Sequence, residues 1–178
     1  WDVKDDDVFW CTSDIGWVVG HSYIVYAPLI AGATTVFREG APDFPKPDIF
    51  YEIIEKYGVN VIFTAPTLLR MLMRHGDDYP KQYDLSSLRF LTCAGEPLNP
   101  EAQRWAYENI CGGGKWGYLV DNWWQTETGG PCLGTLANMP ARPGRVGKPL
   151  PGAELDIVDR EGQPIEEPDK GGFLVIRK

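Results

Sequence analysis

The sequence predicts an α/β fold: a parallel sheet covered by helices on both faces, with a small β-rich annex toward the C-terminal end. Three observations lead there. Strand-like and helix-like segments alternate through residues 1–134. The strands are near-continuous apolar runs, as expected for strands buried on both sides of a parallel sheet. After Gly134 the texture changes, and Pro140, Pro143, Pro149, Pro151, Pro164 and Pro168 space short strands and turns, the punctuation of a β-rich piece. The expected division is therefore a core over residues 1–134 and an incomplete β-rich subdomain over 135–178.

Each element follows from its residues. Residues 8–12 form a short apolar strand after Asp5-Asp6-Asp7. Residues 21–30 read as a buried helix stopped at Ala31-Gly32, and residues 33–37 as β-branched strand material. Asp48 suits the N-cap of a helix over Ile49–Tyr57, in which Ile49, Ile53 and Tyr57 share a face and Gly58 ends the run. Residues 59–63 are a continuous apolar strand. Pro66 then heads a helix bearing Leu68, Leu69, Leu72 and Met73. Residues 88–92 form the next strand and run into Cys93-Ala94-Gly95-Glu96-Pro97. Asn99-Pro100-Glu101 starts another helix, a cap residue followed by Pro at the first helical position, and Gly112-Gly113-Gly114 breaks it. Residues 118–124 are the last core strand. Short strands at residues 154–158 and Phe173–Ile176 belong to the annex, and the chain runs from Trp1, without Met, to Lys178 inside that last strand-like run. It has the look of a piece of a longer protein.

Composition narrows the function. A chain of 178 residues with 43% hydrophobic and 24% charged residues is an ordinary globule. The net charge of −8 argues against a nucleic-acid partner, which requires a basic stripe. No apolar run is long enough to cross a membrane, so a cytoplasmic protein without membrane partners is expected. The four cysteines, Cys11, Cys93, Cys111 and Cys132, lack any paired short spacing. Reduced thiols are expected rather than a zinc site or disulfides. Oligomeric state is not legible.

The most informative stretch is Asp121-Asn122-Trp123-Trp124-Gln125-Thr126-Glu127-Thr128-Gly129-Gly130. A strand rich in indoles ends in a loop with a hard oxygen ligand, hydroxyl donors and glycines that permit close backbone approach. Such a loop suits a polyphosphate with Mg²⁺, which takes one or two carboxylates plus phosphate oxygens and water. Plain packing is the competing reading. Likewise Glu96 alone reads as a surface carboxylate before a helix, and Asp121 as a strand-end cap. In a parallel sheet the ligand crevice lies beyond the carboxyl ends of the strands. The loop after residue 12, the Ala94–Pro97 loop and the 125–130 loop all fall at that edge.

These blocks, in this order, resemble the AMP-forming acetyl-coenzyme A synthetases of the adenylate-forming superfamily. The likeness rests on residues 10–23 (Trp-Cys-Thr-Ser-Asp-Ile-Gly-Trp-Val-Val-Gly-His-Ser-Tyr), Thr64-Ala65-Pro66-Thr67, Ala94 through Ala102, Asp121 through Gly130, and Arg145 through Gly152. Trp-Trp-Gln-Thr-Glu-Thr-Gly is the specific part, separating short-chain acyl synthetases from luciferases and long-chain ligases. The resemblance implies a ligase that turns a carboxylate and ATP into acyl-adenylate and pyrophosphate. Coenzyme A then displaces AMP. It implies that Gly95, Glu96 and Pro97 hold the adenine side, and that Asp121, Asn122, Trp123, Trp124, Gln125 and Thr126 wrap the base and α-phosphate. Thr126 would donate to the α-phosphate and Glu127 would hold Mg²⁺. Val18, Val19, Ala94 and Trp124 would line the acyl pocket, and Val19 and Asp43 would lie near coenzyme A.

Three departures stand out. Val19 replaces the usual Thr and Ala94 the usual Val, so room for propionate as well as acetate is expected. Asp43 replaces an Asn, and a carboxylate there would repel coenzyme A phosphates unless angled away. The phosphate loop, the ribose-binding Asp, the hinge and the C-terminal Lys domain of the family are not in these 178 residues. The chain alone is therefore expected not to turn over. Two alternatives remain: a nucleotide-sensing or regulatory module, and a ligand-binding domain using exposed Trp123 and Trp124.

Overall fold

A computed structural model describes residues 2–136 and 138–177. Trp1, Ala137 and Lys178 lie outside the described residues, and with them the expected strand end at Lys178. Seven strands form one sheet in the order β2-β1-β3-β4-β5-β6-β7. Strands β1 (Val8–Cys11), β2 (Thr34–Val36), β3 (Val61–Thr64), β4 (Phe90–Cys93) and β5 (Tyr118–Trp123) are parallel. Strands β6 (Leu133–Gly134) and β7 (Lys148–Pro149) continue the sheet antiparallel. A separate antiparallel pair, β8 (Leu155–Val158) and β9 (Phe173–Ile176), stands apart. The proline-spaced region after Gly134 thus contributes β7 to the main sheet and β8–β9 to its own.

Alternation along the strands gives the sheet two apolar faces. Trp10, Ile62, Leu91, Cys93 and Leu119 pack in one cluster with helices α3 (Ile49–Tyr57), α4 (Pro66–Arg74) and α5 (Pro100–Asn109). Phe9, Cys11, Val61 and Phe63 form the other cluster, against Ile24. Both faces therefore carry helices, as the sequence predicts. Asn99-Pro100 opens α5, and Gly58 closes α3 at φ +60°, where a side chain would be strained.

Two helix readings are corrected. The segment expected as a buried helix over 21–30 begins earlier and is only half covered. It comprises α1 (Val18–Gly20), a π-helical stretch His21–Tyr26 and α2 (Ala27–Ile30). Ile24 packs against the sheet and Pro28 is buried, whereas Tyr26, Leu29 and Ile30 are exposed. An apolar run reports hydrophobicity, not which side of it is covered. In α3 the buried face is Phe50, Tyr51, Ile53 and Ile54, while Tyr57 is exposed. Asp48 occupies the N-cap position but its carboxylate accepts from the Tyr83 hydroxyl at 2.5 Å instead of capping.

Candidate functional site

Parallel strands bring their carboxyl ends to one edge, and three loops meet there. The loops after β1, β4 and β5 line a single cavity of about 620 Å³, through Thr12 and Ser13, Ala94 and Gly95, and Trp124, Gln125 and Thr126. The start of the 18–30 helix adds Val18 and Val19, and α4 adds Thr67 and Leu68. The wall is apolar where Val18, Val19, Phe63, Ala94 and Trp124 meet. Its mouth is polar at Gln125 and Thr126. Gly95 stands at φ +99° with nothing within 4 Å of where a Cβ would sit, so the loop turns sharply while leaving the cavity open beside it.

The Gln125–Gly130 loop is built to hold its shape. Residues Thr126–Thr128 make one 3₁₀ turn. The Gln125 N–H donates to Thr128 Oγ1 at 3.0 Å, and the Thr128 hydroxyl donates to the Gln125 carbonyl at 2.8 Å. Thr126 and Glu127 are exposed at its tip. The Glu127 carboxylate makes no hydrogen bond or ion pair among the described residues. No group of three or more His, Cys, Asp or Glu side chains among them could hold a metal ion.

Glu96, Pro97, Asp43 and Trp123 do not line the cavity. Glu96 is tied down: Oε1 accepts from the Thr67 backbone N–H at 2.8 Å and from its hydroxyl, and Oε2 accepts from Arg70 Nη2 at 2.7 Å. The Thr67 hydroxyl, and then Arg70, hold this carboxyl below the usual range. Pro97 is exposed just beyond it. Asp43 follows Pro42, a wall residue, and its Oδ2 lies 3.5 Å from His75 Nε2. Arg38 braces that loop by donating to the carbonyls of Gly40 and Ala41 at 3.1 and 2.6 Å. Trp123 and Trp124 are half-buried, and Trp124 packs edge-on to Tyr23. The expected exposed aromatic platform is therefore absent at these two residues.

Asp121 and Asn122 are buried at the end of β5 on opposite faces. Asn122 Nδ2 donates to Thr92 Oγ1 at 2.7 Å and to the Cys93 carbonyl at 2.8 Å, which fixes β5 to the Ala94–Gly95 loop. Burial pushes the Asp121 carboxyl up to about 6, against the lowering influence of the Asn122 N–H. At neutral pH it is a buried carboxylate held at a cost, and such groups collect at functional sites. Because its folded value lies above the ordinary 3.8, the unfolded chain ionises first as pH rises. Stability is therefore undiminished below about pH 4, declines to about pH 6, and stays lower above, by on the order of 2–3 kcal/mol. Asp121→Asn is expected to raise Tm at pH 8 and to leave it unchanged at pH 4. Equal Tm differences at both pH values would contradict this.

Sequence reasoning missed Arg70, Phe63 and Tyr23 as parts of the site. Arg70 had a legible signal, since it follows Thr67 by one helical turn at the start of α4. Phe63 and Tyr23 had none, because their roles depend on what the sheet and helix bring against them.

Comparison with known proteins gives the family and the fold. The family model described as AMP-binding enzyme matches residues 1–178, and the chain belongs to that family. Among relatives, the acetyl-coenzyme A synthetase of Pyrobaculum aerophilum is 51% identical over 99% of this chain, and that of Chromobacterium violaceum is 52% identical over 99%. The chain spans about a quarter of their lengths, 26% and 27%. A crystal structure of Brucella canis acyl-CoA synthetase superposes with TM-score 0.83 at 32% identity, over 98% of this chain and 30% of that one.

Proposed function

We propose that this chain is the acyl- and adenylate-holding part of an AMP-forming short-chain acyl-coenzyme A synthetase that acts on acetate or propionate. The observation that carries the reading is the single cavity with an apolar wall of Val18, Val19, Ala94 and Trp124 and a polar mouth at Thr126. A short carboxylic acid has that same division, an alkyl tail and a charged head. In this reading the carboxylate oxygen attacks the α-phosphorus of ATP, pyrophosphate leaves, and the thiol of coenzyme A then displaces AMP. No side chain becomes covalent. Positioning and charge neutralisation supply the rate.

The roles follow from placement. The cavity wall holds the tail and excludes water. The Thr126 hydroxyl at the mouth donates to the α-phosphate. Gly95, Glu96 and Pro97 shape the adenine side, the backbone from Asp121 through Asn122 and Gln125 to Thr126 wraps the base and α-phosphate, and Trp123 stacks near adenine. Glu127 fits Mg²⁺ as a lone exposed carboxylate, since this ion takes few protein ligands and completes its shell with phosphate and water. When bound, Mg²⁺ neutralises phosphate charge. Val19 and Asp43 would flank coenzyme A, with the Asp43 carboxylate 3.5 Å from His75 Nε2. Residues 1–134 would form the core of the adenylating domain and residues 135–178 the start of its β-rich subdomain. The cytoplasm is the expected location, and no described helix is long and apolar enough to cross a membrane.

The test is pyrophosphate release by the complete protein with ATP and acetate or propionate, followed by thioester formation on adding coenzyme A. Absence of both for every short acid tried would refute the proposal. Ala94 is expected to set the balance between the two acids. Ala94→Val adds two methyl groups to the wall, and one substrate methylene in such a pocket is worth about 1–3 kcal/mol. The variant is expected to lose about 10–100-fold in kcat/KM for propionate relative to acetate. A ratio unchanged from wild type would show that Ala94 does not limit the pocket.

A further inference from the structure

The two rings of one aromatic pair line two different cavities. Tyr23 lies in the π-helical stretch His21–Tyr26, on the same helix that brings Val18 and Val19 to the site. Such widened turns recur at functional sites, where they re-aim a side chain. The Tyr23 ring meets Phe63 edge-on, with centroids 4.8 Å apart at 89°, and meets Trp124 edge-on at 5.6 Å and 82°. Phe63 and Trp124 line the site cavity. Tyr23 instead lines a second cavity of about 250 Å³, together with Val120, Asn122, Gly134 and Leu150. Tyr23 and Trp124 thus pack on each other while each lines a different cavity.

The second cavity is not closed by chemistry of its own. Its wall includes Asn122, whose Oδ1 is buried and makes no hydrogen bond among the described residues. A Cβ at Gly130 would stand 3.8 Å from the Tyr23 hydroxyl oxygen, so the phenol also reaches the far end of the loop that begins at Trp124. Tyr23 thus packs on Trp124 at one end of that loop and lies near Gly130 at the other. Edge-to-face geometry specifies ring orientation as well as contact, and it is tighter than the tilted Phe63–Trp124 pair, whose centroids are 6.4 Å apart.

We infer that Tyr23 is a positioning residue that sets the chain-length limit of the acyl cavity by holding Trp124 across it, and that the second cavity is the space into which the indole retreats when the phenol is removed. This rests on the acyl reading of the site. Tyr23 need not touch substrate to act. Removing its ring joins the two spaces and lengthens the tail that fits.

The experiment is pyrophosphate release by the complete protein with acetate, propionate, butyrate and hexanoate, for wild type, Tyr23→Phe and Tyr23→Ala. Tyr23→Ala is expected to raise the hexanoate-to-acetate ratio of kcat/KM by about 10–100-fold, the scale of one or two methylenes of discrimination. Tyr23→Phe keeps the ring and is expected to keep the wild-type ratio. A wild-type ratio in Tyr23→Ala overturns the inference, as does an equal shift in Tyr23→Phe. Should Tyr23→Ala not fold, Tyr23→Leu takes its place, with a raised ratio expected and a wild-type ratio overturning the inference. If wild type releases no pyrophosphate with any acid, the acyl reading itself falls and this inference with it.

Discussion

Exchanging Glu127 for Gln is expected to lower pyrophosphate release by the complete protein about 10²–10³-fold, the scale found when one preorganised electrostatic group is removed. The expectation comes from where the carboxylate stands. It projects from the tip of the Thr126–Thr128 turn, next to the cavity mouth, and makes no hydrogen bond or ion pair among the described residues. The turn is held by Gln125 and Thr128, not by Glu127. Glu127→Gln would therefore leave the fold as it is, within the small effect usual for a surface exchange. What it removes is a hard anionic oxygen suited to Mg²⁺. Titrating Mg²⁺ at fixed ATP separates the causes: the variant should need more of the ion to reach its lower rate. An unaltered rate at limiting Mg²⁺ would remove Glu127 from the metal site.

Gly20→Ala is expected to destabilise the fold by about 3 kcal/mol, at the upper end for overpacking a tight site, lowering Tm by about 6–12 °C. Gly20 is buried at the end of α1, and a Cβ there would lie 2.4 Å from the Asp14 carbonyl oxygen and 2.6 Å from the Ile15 Cα. Both obstacles are backbone, so neither can rotate away. The loop is also pinned, with the Gly16 N–H donating to Asp14 Oδ1 at 2.7 Å and the Trp17 N–H to the Asp14 carbonyl at 3.2 Å. Relief requires the helix to move away from the loop, taking Val18 and Val19 out of the cavity wall. Acyl selectivity should therefore fall together with Tm. Gly171→Ala is the control, since nothing lies within 4 Å of the added methyl group. Equal Tm values for the two variants would show that the close approach at Gly20 is not a constraint.

Much of the site was legible because it depends on short-range rules. Strand and helix alternation placed three loops at the carboxyl edge, and Thr12, Gly95 and Thr126 from those loops line one cavity. Val18, Val19, Ala94 and Trp124, named from the family resemblance and not from any local rule, line that cavity too. What failed was the reading of cover. Hydrophobicity over residues 21–30 said helix but not which face the sheet would take, and the π-helical stretch shifts that face relative to a regular helix. Periodicity assumes 3.6 residues per turn, so it cannot locate Tyr23 against Trp124.

The sequence by itself determined the order of the elements, the turns that end them and the chemical character of each loop, since these depend on neighbours a few positions away. Only the tertiary structure decided which side chains answer one another. Glu96 is bound by Thr67 and Arg70, Asp43 turns to His75, and Tyr23 backs Trp124. Each of those pairs joins separate loops or helices across the sheet, and strand order and register set their distance and direction. The pattern along the chain contains neither.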